Sequence, residues 1–169
     1  MGNPVNTTLV YLEKDECYLM LHRVKKQHDL NRDKWIGVGG KFENTESPEE
    51  CMLREVKEET GLTLSRWRYQ GIVTFVSISD DEIFTEYMHL FYSSDFTGTP
   101  RTCSEGVLEW VPKSRIAELN LWEGDLIFLR LMEGKHPFFS LKLVYQNNVL
   151  VQAVLNGTAL TRKEYGLWN

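Results

Sequence analysis

Short apolar runs separated by polar turns dominate the first forty residues. Thr7 to Leu12 and Cys17 to His22 predict two strands joined by the turn Glu13-Lys-Asp-Glu16. A polar loop, Lys25 to Lys34, then leads to the glycine-rich stretch Trp35-Ile-Gly-Val-Gly-Gly-Lys41. Ser47-Pro48-Glu49-Glu50 reads as a helix start, with Ser47 as N-cap, Pro48 in the first turn and Glu50 at the third helical position. That helix is predicted to run to Thr60 and to stop at Gly61. Two longer strands follow, Trp67 to Ile78 and Phe84 to Ser93, with Ser79-Asp-Asp-Glu82 between them. Leu108 to Val111 is a short strand, and Pro112 opens a short helix to Leu119. Glu123 to Met132 is predicted helical, with Leu126, Leu129 and Met132 at helical spacing. Phe139 to Tyr145 and Val149 to Leu155 form a hairpin across Asn147-Asn148. Strands prevail with two or three helices between them, which is an α+β or mixed α/β arrangement. No repeat, linker or low-complexity tract marks a boundary, so a single domain over residues 1–169 is expected.

Composition narrows the class. With 42% hydrophobic and 25% charged residues in 169, the chain suits a folded domain of ordinary size and neither a collagen nor a disordered segment. No apolar stretch approaches the roughly 18 residues needed to span a bilayer, and Met1-Gly-Asn-Pro-Val-Asn6 has neither a signal-peptide nor a myristoylation pattern. Cys17, Cys51 and Cys103 are far apart and odd in number, which points to free thiols in a reducing cytoplasm, with no disulfide framework or zinc site. The net charge of −5 is concentrated. Residues 43–59 hold seven acids and two bases, and the rest of the chain balances. A nucleic-acid binder would show a basic stripe instead.

Much of that acidic focus falls on the predicted helix. At about 100° per residue, Glu58 and Glu59 lie about −60° and +40° from Glu55, so three carboxylates share one arc on adjacent turns. Like charges so placed repel unless a cation lies between them. Arg54 can pair with Glu50 or Glu58, while Met52 and Val56 offer an apolar opposite side. Taken alone, such a helix is most often a solvated face with ordinary charge decoration.

Its surroundings change that reading. Gly40-x5-Glu46-x7-Arg54-Glu55-Val56-x-Glu58-Glu59-x-Gly61-Leu62 matches every fixed position of the Nudix box, so residues 40–62 resemble the Nudix hydrolases. A chance match in a chain of this length is on the order of 10⁻⁷. The resemblance implies the Nudix fold, an α/β/α sandwich around a mixed sheet, with Mg²⁺ or Mn²⁺ as cofactor. It also implies cleavage of a nucleoside diphosphate linked to another group. Diphosphates repel nucleophiles, and hard divalent cations with oxygen ligands neutralise them and acidify bound water. By resemblance, Glu55, Glu58 and Glu59 hold metal together with the carbonyl of Gly39. Glu55 or Glu58 takes the proton of the attacking water, Arg54 orients a carboxylate, Glu46 braces the loop and Lys41 touches a phosphate.

The flanks resemble the MutT-type enzymes that hydrolyse oxidised purine nucleoside triphosphates such as 8-oxo-dGTP to monophosphate and pyrophosphate. The resembling segments are Trp35 to Glu43, Glu105 with Trp110, Trp122-Glu-Gly-Asp125 and Pro137 to Tyr145. That likeness implies Glu105 as a further metal ligand or helper of the base, and Trp122 as a stacking platform whose partner Asp125 reads the purine edge. Trp35, Phe75 and Arg23 stand where relatives contact the base or phosphate. Ile36 and Gly124 depart from the mammalian pattern, which has Asn and an acid at those places. Trp110 and Phe75 read as core strand residues rather than ligand contacts by residue type, and Trp122 stands evenly between core and platform. The partner expected is a small nucleotide, with no nucleic acid and no membrane, for a monomer or homodimer. The alternatives are another substrate (ADP-ribose, a dinucleoside polyphosphate or a nucleotide sugar) and a non-catalytic nucleotide-binding regulator.

Overall fold

Residues 2–165 are described by the structure, a computed structural model. Met1 and residues 166–169, which the single-domain expectation also covers, lie outside the described residues. The first two apolar runs fold back on each other as β1 (Val5–Lys14) and β2 (Cys17–His22). Their turn is shorter than the sequence implies. Only Asp15 and Glu16 are unpaired, both left-handed (φ 50° and 59°), as a two-residue hairpin requires. Glu13 stays in β1 opposite Tyr18, with its carboxylate bound by the Tyr92 hydroxyl and the Lys113 ammonium. Thr7 to Leu12 are all buried, so this strand is covered on both faces.

The glycine-rich stretch forms two short strands, β3 (Trp35–Ile36) beside β2 and β4 (Val38–Lys41) beside β1. Glycine spacing hides their alternation, and Gly39 explains itself by contact: a Cβ there would overlap the Thr8 carbonyl oxygen. The helix α1 (Pro48–Thr60) begins and ends where its signals place it. The Glu50 N–H donates to Ser47 Oγ at 3.1 Å, and the Ser47 N–H donates to the Glu50 carboxylate at 2.7 Å, a reciprocal capping box. Gly61 closes the helix at φ 78°. Cys51, Met52 and Val56 are fully buried, each large apolar side chain contributing about 1.5–3 kcal/mol.

After α1 come β5 (Thr63–Ile78) and β6 (Ile83–Thr97), both longer than predicted, then β7 (Val107–Pro112), which pairs along the whole of β2. A 3₁₀ turn at Lys113–Glu118 replaces the short helix expected there. The next helix, α2 (Asp125–Glu133), starts two residues late because the Asp125 N–H closes a tight turn on the Trp122 carbonyl. Its buried stripe is Ile127, Phe128, Leu129 and Met132, and Leu126 is only half-buried. Finally β8 (Phe139–Gln146) and β9 (Val149–Leu155) form the expected hairpin, with Asn147 and Asn148 at φ 48° and 67°. The sequence pass missed the two-residue β10 (Thr158–Ala159), which pairs with β9.

The chain divides into two compact units. Among the described residues, one holds those up to Thr7, Tyr69–Leu90 and 122–165, with strand order β10-β9-β8-β5-β6. In it β5 and β8 run parallel from Gly71↔Phe139 to Ile78↔Gln146, and Phe139, Leu141, Leu143 and Tyr145 alternate inward. The other holds Thr8–Arg68 and Phe91–Leu121, built on β2 with β1, β3 and β7 beside it and α1 attached. Pairing is thus mixed, parallel and antiparallel, with helices: the α+β class that the pattern implies.

Candidate active site

The unit containing α1 gathers most of the chemistry. Arg54 is its hub. Its Nε and Nη2 donate to the two oxygens of Glu46 at 2.5 and 2.9 Å, a bidentate pair, and Nη2 also donates to the Lys41 carbonyl at 3.0 Å. Nη1 donates to Glu55 at 2.8 Å and Glu58 at 3.2 Å. Arg54 beside Glu46 holds that carboxyl at about 2. Glu46 Oε2 also accepts the Glu43 N–H at 2.8 Å, so the loop is tied to the helix through Glu46. The Arg54–Glu50 pair allowed by helical spacing is not the one formed, because Glu50 is used by the capping box.

Glu59 faces the other way along the arc. It is 8% exposed and accepts the Gly39 N–H at 3.2 Å. Burial, reinforced by the like charges of Glu55 and Glu105, pushes its pKa up to about 8. Burial likewise raises Glu55, opposed by Arg54 and reinforced by Glu58 and Glu105. Gly40 lies against Glu55 so closely that a Cβ would overlap its carboxylate. Glu58 is open to solvent at 59%. Glu105 is held by Arg23 Nη1 at 2.7 Å and Lys26 Nζ at 2.6 Å. Arg23 also donates to Asp29 at 2.7 Å, so the residue expected to meet phosphate is engaged by carboxylates instead. The Lys41 side chain is exposed, and Trp35 stacks on His22 with ring centroids 4.3 Å apart and planes 7° from parallel.

Carboxylates in a partly buried, mutually repelling group are the donor chemistry of a hard divalent cation. The donor types therefore fit. Among the described residues no three His, Cys, Asp or Glu side chains converge on one cation position as they stand. The reason is visible: Glu55 is drawn to Arg54, and Glu105 to Arg23 and Lys26.

The remaining expected residues lie in the other unit. Phe75 and Trp122, each 4% exposed, pack edge to face at 5.1 Å, and Tyr145 lies 5.0 Å from Phe75 and 4.9 Å from Trp122. Asp125 is buried at the first turn of α2. The Gly124 N–H donates to the Tyr145 hydroxyl at 2.9 Å. A Cβ on Gly124 would come within 2.6 Å of Leu143 and 2.7 Å of that hydroxyl, so a second acid here would require those two side-chain ends to shift. Burial, with Asp125 nearby, holds the Tyr145 phenol above its ordinary range and keeps it protonated. Sequence reasoning gave Tyr145, Lys26 and Asp29 no role. For Tyr145 the only signal was its inward place in the alternation of β8. Trp110, expected in the core, stacks on Phe96 at 6.0 Å.

The NUDIX domain family matches residues 3–132, and the chain belongs to the Nudix hydrolases, a family that generally uses divalent metal ions. Among curated relatives, it is 28% identical over 131 residues to the oxidized purine nucleoside triphosphate hydrolase of Danio rerio, covering 78% of this chain and 83% of that one. It is 32% identical over 116 residues to an uncharacterized Nudix hydrolase of Bacillus subtilis, YvcI, covering 68% and 70%. Among solved structures, a mutator MutT protein from Bacillus halodurans superposes with a TM-score of 0.76 at 23% identity, covering 90% of this chain and 97% of that chain. The mixed sheet with its helices is accordingly the Nudix fold. Among the described residues, no helix is long and apolar enough to cross a membrane.

Proposed function

We propose that this Nudix hydrolase converts purine nucleoside triphosphates, oxidised ones such as 8-oxo-dGTP foremost, to monophosphate and pyrophosphate with Mg²⁺ or Mn²⁺. The observation that carries the reading is Glu59, a nearly buried carboxylate pushed up to about 8 by burial, Glu55 and Glu105, on the helix of an intact box. Burial and the neighbouring carboxylates disfavour its charged form, a cost that a bound cation would offset. Glu55, Glu58, Glu59 and Glu105, with the Gly39 carbonyl, would hold the ion. When bound, it neutralises the phosphate chain and acidifies water. Glu55 is the better of the two candidate bases, because burial raises its proton affinity while Glu58 is open to solvent. It takes one proton from the attacking water as the P–O–P bridge breaks, and Arg54 keeps it oriented at 2.8 Å. Arg23 and Lys41 supply positive charge for the phosphates.

Base reading is assigned to Trp122, Phe75 and Asp125, and Trp35 is carried over as a substrate contact from the resemblance. Guanine offers donors at N1 and its exocyclic amine, and 8-oxoguanine adds N7–H, all suited to a carboxylate acceptor. With both rings 4% exposed, a purine stacks there only when one ring turns aside. The named activity of the Danio rerio relative supports this substrate class over the alternatives. The test is a panel of 8-oxo-dGTP, dGTP, dTTP, ADP-ribose and dinucleoside polyphosphates with Mg²⁺ or Mn²⁺, reading pyrophosphate against phosphate. Pyrophosphate release from purine triphosphates is expected. Preferential cleavage of ADP-ribose or a dinucleoside polyphosphate would overturn the assignment.

A further inference from the structure

Glu105 is held in an unusual way for an exposed-loop acid. Each of its oxygens meets a different cation: Oε2 meets Arg23 Nη1 at 2.7 Å and Oε1 meets Lys26 Nζ at 2.6 Å. Both cations belong to one segment, which is closed on itself by the Arg23 N–H donating to the Lys34 carbonyl and the Asp33 N–H donating to the Arg23 carbonyl. Asp29, only 8% exposed, fixes the far edge of the Arg23 guanidinium and is itself steadied by the Asn31 N–H at 3.0 Å. Lys25 reaches the Cys103 carbonyl at 2.6 Å, and the Glu105 N–H donates to Cys103 Sγ at 3.4 Å, so the loop backbone is anchored independently of the Glu105 carboxylate. Asp29 balances one of the two cations, and the Glu105 carboxylate balances the other.

Two oxygens of one planar anion, each facing its own cation, are also how an edge of a phosphate group is held. Glu105 has another place to go. Its charge is felt by Glu55 and Glu59, so the carboxylate lies within reach of their field. We propose that Arg23 and Lys26 form a seat for a phosphate of the substrate's polyphosphate chain, which Glu105 fills as an internal carboxylate until phosphate displaces it. The inference rests on the reading that the substrate carries a phosphate chain, and it adds Lys26 as a binding residue and Asp29 as a positioning residue. Displacement couples two events: phosphate takes the cations, and Glu105 is released towards the other carboxylates and their ion.

The probe is inorganic pyrophosphate, titrated calorimetrically in EDTA so that no divalent ion takes part. Glu105→Gln removes the internal competitor and is expected to tighten pyrophosphate binding by about tenfold. Adding Lys26→Ala, a change at a side chain 54% exposed, is expected to cancel most of that gain, and Lys26→Arg to preserve it. Lys34→Ala deletes the same charge from the same segment, but that lysine reaches Asn120, so less than about twofold is expected. The seat is overturned if Glu105→Gln leaves affinity unchanged, if the double variant binds as tightly as Glu105→Gln, or if Lys34→Ala weakens binding as much as Lys26→Ala. These results do not depend on which nucleotide is hydrolysed. A failed nucleotide panel with these shifts intact leaves the seat standing, and the reverse outcome removes the seat alone.

Discussion

Glu59 is almost buried and feels the like charges of Glu55 and Glu105, so its charged form is disfavoured until a cation offsets them. Its folded pKa, about 8, lies above the ordinary 4.5. The stability it confers is therefore fully present below 4.5 and lost as pH rises through 8. In EDTA the wild-type melting temperature should fall between pH 5 and 8.5, and Glu59→Gln should flatten that decline. The same variant should lower turnover by at least about 10²-fold in saturating Mg²⁺. Near-normal turnover would remove Glu59 from the metal assignment. At the base end, Asp125→Ala should reduce kcat/KM for 8-oxo-dGTP and dGTP by roughly 10- to 100-fold and leave dTTP nearly unchanged. An unaltered purine-to-pyrimidine ratio would reduce Asp125 to a favourable charge at the start of α2. Gly124 has no such freedom. Gly124→Ala should cost about 1–3 kcal/mol, read as a lower melting temperature, because Leu143 and Tyr145 already fill the space.

Helix α1 is the element whose boundaries were most fully legible. Ser47, Pro48, Glu50 and Gly61 are local signals whose physics lies within a few residues, and each acts in the structure as its chemistry requires. Ser47→Ala should accordingly cost about 1 kcal/mol of stability, measured by chemical denaturation. The hairpins were legible for the same reason, since paired left-handed residues at Asp15-Glu16 and Asn147-Asn148 carry their own turn geometry. What escaped detection depends on partners far away in sequence. β3 and β4 are strands because β2 and β1 lie beside them, and their glycines erase the alternation that would have revealed them. The Arg23–Glu105 pair joins residues 82 positions apart, so Arg23 looked like a free basic residue. In α2 Leu126 is only half-buried while Phe128 is buried, so the face turned inward is not the one its apolar spacing alone marked.

At the scale of the whole chain, the charge distribution and the family membership point the same way. Acidic excess is confined to residues 43–59, where the box lies, and the remaining charges cancel. The central claim is that this Nudix hydrolase selects purine, and above all oxidised purine, triphosphates in a divalent-metal-dependent reaction. The measurement that tests it most directly is a competition in one vessel, with equimolar 8-oxo-dGTP, dGTP and dTTP at trace concentration followed together to give the ratios of kcat/KM, with Mg²⁺ and again in EDTA. 8-oxo-dGTP should disappear first, dGTP next and dTTP last, with monophosphate and pyrophosphate as products and no reaction in EDTA. Equal decay of all three nucleotides, or decay that persists in EDTA, would contradict it.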